Sequence, residues 1–160
     1  LKKLLTNGVF YGKMITVNER EVTTMKTAYY FDMDGVLCNF HKEPFKYANA
    51  INRTWIANLD PFMANVALVS ELIARGESVY ILTQAASESA KLGKLDWVRK
   101  NIPEFNLDRV IVIVGNGKKT DYMATADGIL IDDDIKNTRQ WEKAGHMAIT
   151  LEFKGQTVVL

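Results

Sequence analysis

Asp32 and Asp34 are the residues on which chemistry can be built. They close the apolar run Ala28-Tyr29-Tyr30-Phe31 and precede Gly35. In extended chain, side chains two residues apart share one face, so both carboxylates project together where a strand stops. Gly35 lets the backbone turn away from them. Two close carboxylates repel each other and resist desolvation unless a cation or a proton offsets them. A hard divalent ion such as Mg²⁺ is the simplest offset. A bare Asp-x-Asp-Gly can equally be a turn with two solvated acids, so the reading depends on partners elsewhere. Three further apolar runs supply them. Ser78 to Leu82 leads to Thr83 and Gln84, Arg109 to Val114 is followed by Lys118 and Lys119, and Gly128 to Ile131 ends at Asp132-Asp133-Asp134.

The elements that must position these groups follow from periodicity. Strands are expected over Thr27 to Asp32, Ser78 to Leu82, Arg109 to Val114, Gly128 to Ile131 and Met147 to Leu151. The unbroken β-branched run Val110 to Val114 suits a strand buried on both faces. Phe62, Val66, Val69, Leu72 and Ile73 recur at helical spacing, and Gly76 stands where that helix would stop. A second helix is expected from Ser87 to Lys100, with Leu92, Leu95, Trp97 and Val98 as its apolar members, and a short one from Thr120 to Ala126. Asp134 reads as the N-cap of a last helix that runs to Ala144 and stops at Gly145. Strands alternating with helices make a parallel sheet with helices on both faces. In such a sheet ligands bind beyond the carboxyl ends of the strands. Carboxylates for a cation, one more for attack, and a hydroxyl and an ammonium for an anion would then share one crevice. That chemistry is phosphoryl transfer.

The chain has 160 residues and a formal net charge of +1, so it is expected to form one principal domain with no electrostatic footprint for nucleic acid or an anionic membrane. No apolar run is long enough to span a bilayer. The single Cys38 cannot form an internal disulfide and suits a reducing cytoplasm, and it reads as a packing residue. Residues Leu1 to Lys26 read as an N-terminal extension of uncertain order. Within it, Val9 to Tyr11 and Met14 to Val17 could pair as a hairpin around Gly12-Lys13.

The order of the motifs resembles the haloacid dehalogenase (HAD) superfamily of phosphatases. The match is F-D-M-D-G-V-L, then Thr83 after an apolar run, then Lys119, then Asp132-Asp133 after another, spanning about Thr27 to Leu151. A closer resemblance is to the 5'(3')-deoxyribonucleotidases, carried by D-M-D-G-V-L, Lys94-x-x-Trp97-Val98, Lys119-Thr120, Ala126-Asp127 and L-I-D-D. Gln84-Ala85-Ala86 departs from the Ser-Pro those enzymes usually carry after the Thr. The resemblance implies a Rossmann-like three-layer sandwich over residues 27–160, with a mostly parallel central sheet and a small helical cap at about 39–61. It implies a Mg²⁺-dependent phosphomonoesterase acting on nucleoside monophosphates. Asp32 is then the nucleophile and Asp34 the general acid and base. Thr83 binds a phosphoryl oxygen, and Lys119 offsets negative charge. Asp32, the Asp34 backbone carbonyl, Asp132 and Asp133 hold the metal. Phe40, Phe45 and Gln84 join Thr83 and Lys119 in contacting substrate. The expected partner is a small phosphomonoester, without membrane or nucleic acid, and a homodimer is left open.

Several readings compete. Lys118 could take the place of Lys119. Asp134 suits a cap better than a ligand, Trp97 and Trp141 suit the core, and Lys94 suits a solvated helix face. Gly115-x-Gly117-Lys118 is not a P-loop, because Val112 stands where its first Gly is required. Asp32-x-Asp34-Gly35 lacks the third acid and downstream Glu of an EF-hand loop. A polynucleotide 3'-phosphatase or a sugar phosphatase would share the core motifs, but the first wants a basic stripe. A phospho-accepting receiver domain also uses acids, a Thr, a Lys and Mg²⁺, yet its Lys comes last, whereas Lys119 precedes the final acid pair.

Overall fold

The computed structural model describes residues 27–40 and 51–160. The N-terminal hairpin reading and Phe45 lie outside those residues. Five strands form one sheet, β1 (Ala28–Phe31), β2 (Ser78–Ala85), β3 (Val110–Val114), β4 (Gly128–Asp132) and β5 (Met147–Thr150). Their order is β3-β2-β1-β4-β5, and every pairing is parallel. The crossovers carry the helices α1 (Arg53–Ala57), α2 (Met63–Ala74), α3 (Glu88–Asn101) and α4 (Ile135–Lys143).

β1 is central, and its alternation divides the core. Phe31 joins Val69, Leu72, Trp97 and Val98 on the α2 and α3 face. Ala28 and Tyr30 face the other way, with Leu82, Leu130 and Trp141 of α4. Trp97 and Trp141 are fully buried, as their positions on the helices predict. Each indole N–H finds a carbonyl, Trp97 donating to Leu59 at 2.8 Å and Trp141 to Gly128 at 3.1 Å. Gly128 has a steric reason, because a Cβ there would lie 2.5 Å from the Tyr30 ring.

Three expectations about elements need correction. β3 is an edge strand, and of its five residues Ile113 alone is buried. Its β-branched run reflects strand propensity rather than cover on both faces. β2 does not stop at Leu82. It continues through Thr83 and Gln84, which pair with Val112 and Ile113. The helix expected over Thr120 to Ala126 is a single 3₁₀ turn, Lys119–Tyr122. The chain after it loops back so that the Ala124 and Thr125 N–H groups donate to the Tyr30 hydroxyl at 3.0 and 3.1 Å. Those bonds compete with helix continuation. The remaining helices match their signals. Ser87 caps α3 through the Ala90 N–H, and Asp134 caps α4 through the Lys136 N–H.

After β5 the chain does not leave the domain. Residues 151–158 cross back over the loop that follows β1. Gly155 N–H donates to Gly35 O at 2.8 Å, and Val158 is buried. Asn65 of α2, fully buried, joins the two segments. Its amide donates to Val36 O at 2.8 Å and Gln156 O at 2.9 Å, and its oxygen accepts the Val158 N–H at 2.9 Å.

Candidate active site

The carboxyl ends of β1, β2 and β4 deliver their polar groups to one cleft of about 470 Å³. Asp32, Asp34, Thr83, Gln84, Lys119, Asp132 and Asp133 all line it, with Phe40 at one side. The local reason is register. Phe31 stands opposite Ile81 and Ile131, so Asp32, just beyond β1, and Asp132, the last residue of β4, emerge side by side. Asp32 N–H still donates to Ile131 O at 2.9 Å, which holds the first carboxylate in line with the sheet. Gly35 then turns the chain with φ +80°, and a Cβ there would fall 2.2 Å from an Asp133 oxygen. Glycine is therefore required twice, for the turn and for the close approach of the acid from β4.

Of the two adjacent lysines, Lys119 is the one placed against the carboxylates. It is 3% exposed, and its Nζ sits 2.7 Å from Asp32 Oδ1 and 2.7 Å from Asp132 Oδ2. Burial pulls its pKa down, but the two carboxylates outweigh burial and leave it above the ordinary lysine value. Asp132 is further held by the Asn137 amide at 3.0 Å and the Asp134 N–H at 2.8 Å. Asp134 itself serves as the α4 cap, as expected.

Lys94 is where the expectation fails most. It is not on a solvated face. It is 1% exposed beneath the cleft, donating to Asp34 Oδ1 at 2.7 Å and to Thr83 Oγ1 at 2.9 Å. An ammonium only donates, so Thr83 must accept here, and its own O–H is left to donate elsewhere. The signal was in the sequence. Ala90, Lys94, Trp97 and Val98 fall at i, i+4, i+7 and i+8, which places Lys94 on the buried stripe of α3. Gly93 lets α1 approach that helix, since a Cβ would lie 2.6 Å from Arg53 O. Arg53 closes the contact from outside by pairing with Asp96.

The other expected residues divide. Gln84 lines the cleft, but its amide donates to Gly117 O at 2.8 Å and so braces the loop that carries Lys119. Phe40 lines the cleft and meets Trp55 edge to face, with centroids 5.4 Å apart. Cys38 is buried, as its packing role requires, and burial pushes its thiol well up. Asn137, Asn65 and Lys154 were not singled out from the sequence. Asn65 falls on the apolar stripe of α2, four residues before Val69 and seven before Leu72, and that spacing was the signal; Asn137 and Lys154 carry none until the chain folds back on itself.

The charge balance bears on a metal. Asp32, Asp132 and Asp133 each present an oxygen within 4.8 Å of the others. Burial and then the Asp32 charge push the Asp132 carboxyl up to about 6. Burial, Asp32 and Asp132 push Asp133 up to about 7. Asp34 is raised by burial, with Lys94 acting against the rise. The acids thus carry more negative charge than the protein offsets, and their oxygens form a hard donor set. Such a set fits a divalent cation of the Mg²⁺ type.

No family model matches the chain, and no curated protein matches its sequence. Among solved structures, it is similar to the HAD domain of the effector protein Lem4 from Legionella pneumophila. The TM-score is 0.52 at 14% identity, over 83% of this chain and 88% of that one. The fold is a HAD fold. At that identity the likeness concerns backbone architecture, and it adds nothing for the nucleotidase family. Within the HAD fold, the cleft described above lies where β1 and β4 end, at the carboxyl edge of the sheet. Among the described residues no helix is long and apolar enough to cross a membrane.

Proposed function

We propose that the protein is a Mg²⁺-dependent phosphomonoesterase that works through an aspartyl-phosphate. The observation that carries this reading is the single cleft in which Asp32, Asp34, Thr83, Lys119, Asp132 and Asp133 meet. Asp32, Asp132 and Asp133 would hold the ion, which would supply positive charge to the phosphoryl oxygens. Lys119 fixes the Asp32 carboxylate at 2.7 Å and reduces its repulsion toward an anionic substrate. An Asp32 oxygen attacks phosphorus, and the bond from phosphorus to the leaving oxygen breaks. Asp34, raised by burial, gives its proton to that oxygen. Water then attacks phosphorus, Asp34 takes its proton, and inorganic phosphate and the Asp32 carboxylate are released. Thr83, with its acceptor side occupied by Lys94, donates its O–H toward a phosphoryl oxygen.

The substrate in this reading is a nucleoside monophosphate, deoxy and pyrimidine by the resemblance of the motifs. Phe40 supports it as an aromatic face at the cleft, one on which a base can stack. In this reading the short segment at about 39–61 is the cap, and α1 is its helix among the described residues. The test is a phosphate-release screen over 5'- and 3'-nucleoside monophosphates and phosphorylated sugars with Mg²⁺ present. Nucleotides should lead in kcat/KM. Sugar phosphates leading would remove the nucleotidase reading and keep the phosphatase. No continuous release from any of them would remove both.

A further inference from the structure

Two carboxamides line the cleft, Gln84 near the end of β2 and Asn137 in the first turn of α4. Each spends an N–H on the protein. Gln84 donates to Gly117 O at 2.8 Å, and Asn137 donates to Asp132 Oδ2 at 3.0 Å. A carbonyl and an ionised carboxylate only accept, so the nitrogen of each amide faces that partner and the oxygen is the atom left over. Among the described residues neither oxygen accepts a bond, and no buried side-chain polar atom lacks a partner. Both oxygens are therefore open acceptors.

Asn137 stands against Asp132, inside the acidic cluster. Gln84 instead adjoins Thr83, which takes a phosphoryl oxygen in the proposed reaction, and its carboxamide is held at both ends. Its backbone pairs with Ile113 of β3. Its N–H is tied to Gly117, in a loop that is itself fastened. Gly115 N–H donates to Ala85 O at 2.9 Å, and a Cβ on Gly117 would lie 2.8 Å from the Ile113 side chain. An acceptor held in this way needs little ordering when a donor arrives. The phosphoryl oxygens, once ionised, only accept. The donor that a phosphomonoester can bring to Gln84 is therefore on its leaving group.

We propose that Gln84 Oε1 accepts a hydrogen bond from a hydroxyl of the leaving group. Gln84 is then a specificity-determining residue that selects phosphomonoesters of sugars and polyols over their deoxygenated analogues. The inference rests on the phosphomonoesterase reading above and holds whether or not the sugar carries a base. It also gives a use to the residue at which the chain departs from the nucleotidase pattern. A neutral hydrogen bond supports about a two- to tenfold preference.

The experiment measures kcat/KM with Mg²⁺ on the full chain for two pairs that differ by hydroxyl groups. One is thymidine 5'-monophosphate against 3'-deoxythymidine 5'-monophosphate, and the other is glycerol 3-phosphate against propyl phosphate. The readout is the ratio within each pair for the wild type, Gln84→Met and Gln84→Ser, so that the intrinsic reactivity of each ester cancels between variants. The wild type should favour the hydroxylated member of whichever pair it hydrolyses. Both substitutions should lower that ratio by about two- to tenfold, mainly through the KM of the hydroxylated member. A brace for the Lys119 loop alone would slow both members equally, so lower rates at an unchanged ratio overturn the inference and leave the phosphatase reading standing. A wild-type ratio at or below one in every pair hydrolysed overturns it too, and so does loss of all turnover in both variants. Hydrolysis of the glycerol pair alone removes the nucleotidase reading, while the ratio in that pair still decides the inference. Hydrolysis of neither pair overturns the inference together with the phosphatase reading.

Discussion

Replacing Asn65 by Ala removes three hydrogen bonds at once, and the structure allows the loss to be worked out. The Asn65 side chain is fully buried, and so is Val36, whose carbonyl it holds. Each neutral bond contributes about 1 kcal/mol net, and an orphaned buried N–H costs about 1–3 kcal/mol. The Val158 N–H is the one donor left without its acceptor. The two carbonyls lose a donor but tolerate this better than an N–H does. If the strap formed by residues 151–158 stays in place, the two lost carbonyl bonds and the orphaned N–H together cost about 3–5 kcal/mol. If it lifts, water rehydrates those groups, and the loss becomes the burial of Val158, about 1.5–3 kcal/mol. The two routes bracket a destabilisation of about 2–5 kcal/mol, or a fall in Tm of roughly 4–20 °C for a chain of this size. Asn65→Asp should be worse than Asn65→Ala at neutral pH, because a carboxylate has no donor for the Val36 and Gln156 carbonyls it would face. Urea titration gives the free energy, and amide exchange at residues 156–160 tells strap release from global loss. A change below about 1 kcal/mol for Asn65→Ala, or an Asp variant as stable as wild type, would refute the clamp.

Other outcomes follow from the site. Asp32→Asn keeps the shape of the nucleophile but removes its charge and a metal ligand, so steady-state phosphate release should fall at least about a thousandfold. Lys119→Ala should cost far more activity than Lys118→Ala, since Lys119 alone of the two is bonded to Asp32 and Asp132; equal losses would contradict that geometry. Lys94→Met should slow alkyl phosphates more than p-nitrophenyl phosphate, because Asp34, held by Lys94, matters most where the leaving oxygen needs a proton. A uniform loss would make Lys94 purely structural. EDTA should abolish turnover and Mg²⁺ restore it, while Ca²⁺ should compete for the site without supporting turnover, as its looser coordination misplaces the reacting groups.

What was legible in the sequence was whatever depends on neighbours along the chain. Alternation in extended chain led to the expectation that Asp32 and Asp34 project together, and both line the cleft although β1 itself ends at Phe31; Asp134 caps α4 because a helix leaves its first N–H groups without acceptors. The alternation of apolar runs with helical spacing was enough to give an α/β fold with a parallel sheet, and four motif positions were enough to predict a common cleft. Tertiary structure decided what depends on distance through space. The register of β1 against β4 brings Asp132 beside Asp32, and only then does Lys119, rather than Lys118, have two carboxylates to bridge. The spacing of Lys94 with Ala90, Trp97 and Val98 puts it on the inward stripe of α3, but only the packing of that helix sets its ammonium beneath Asp34. β3 reads as central until its neighbours are counted, because β-branched residues satisfy an edge as well as a centre. The strap gives no local signal at all. Its place is set by one buried amide on α2 and one carbonyl of the loop after β1, groups far apart in the chain that meet only when the sheet has formed.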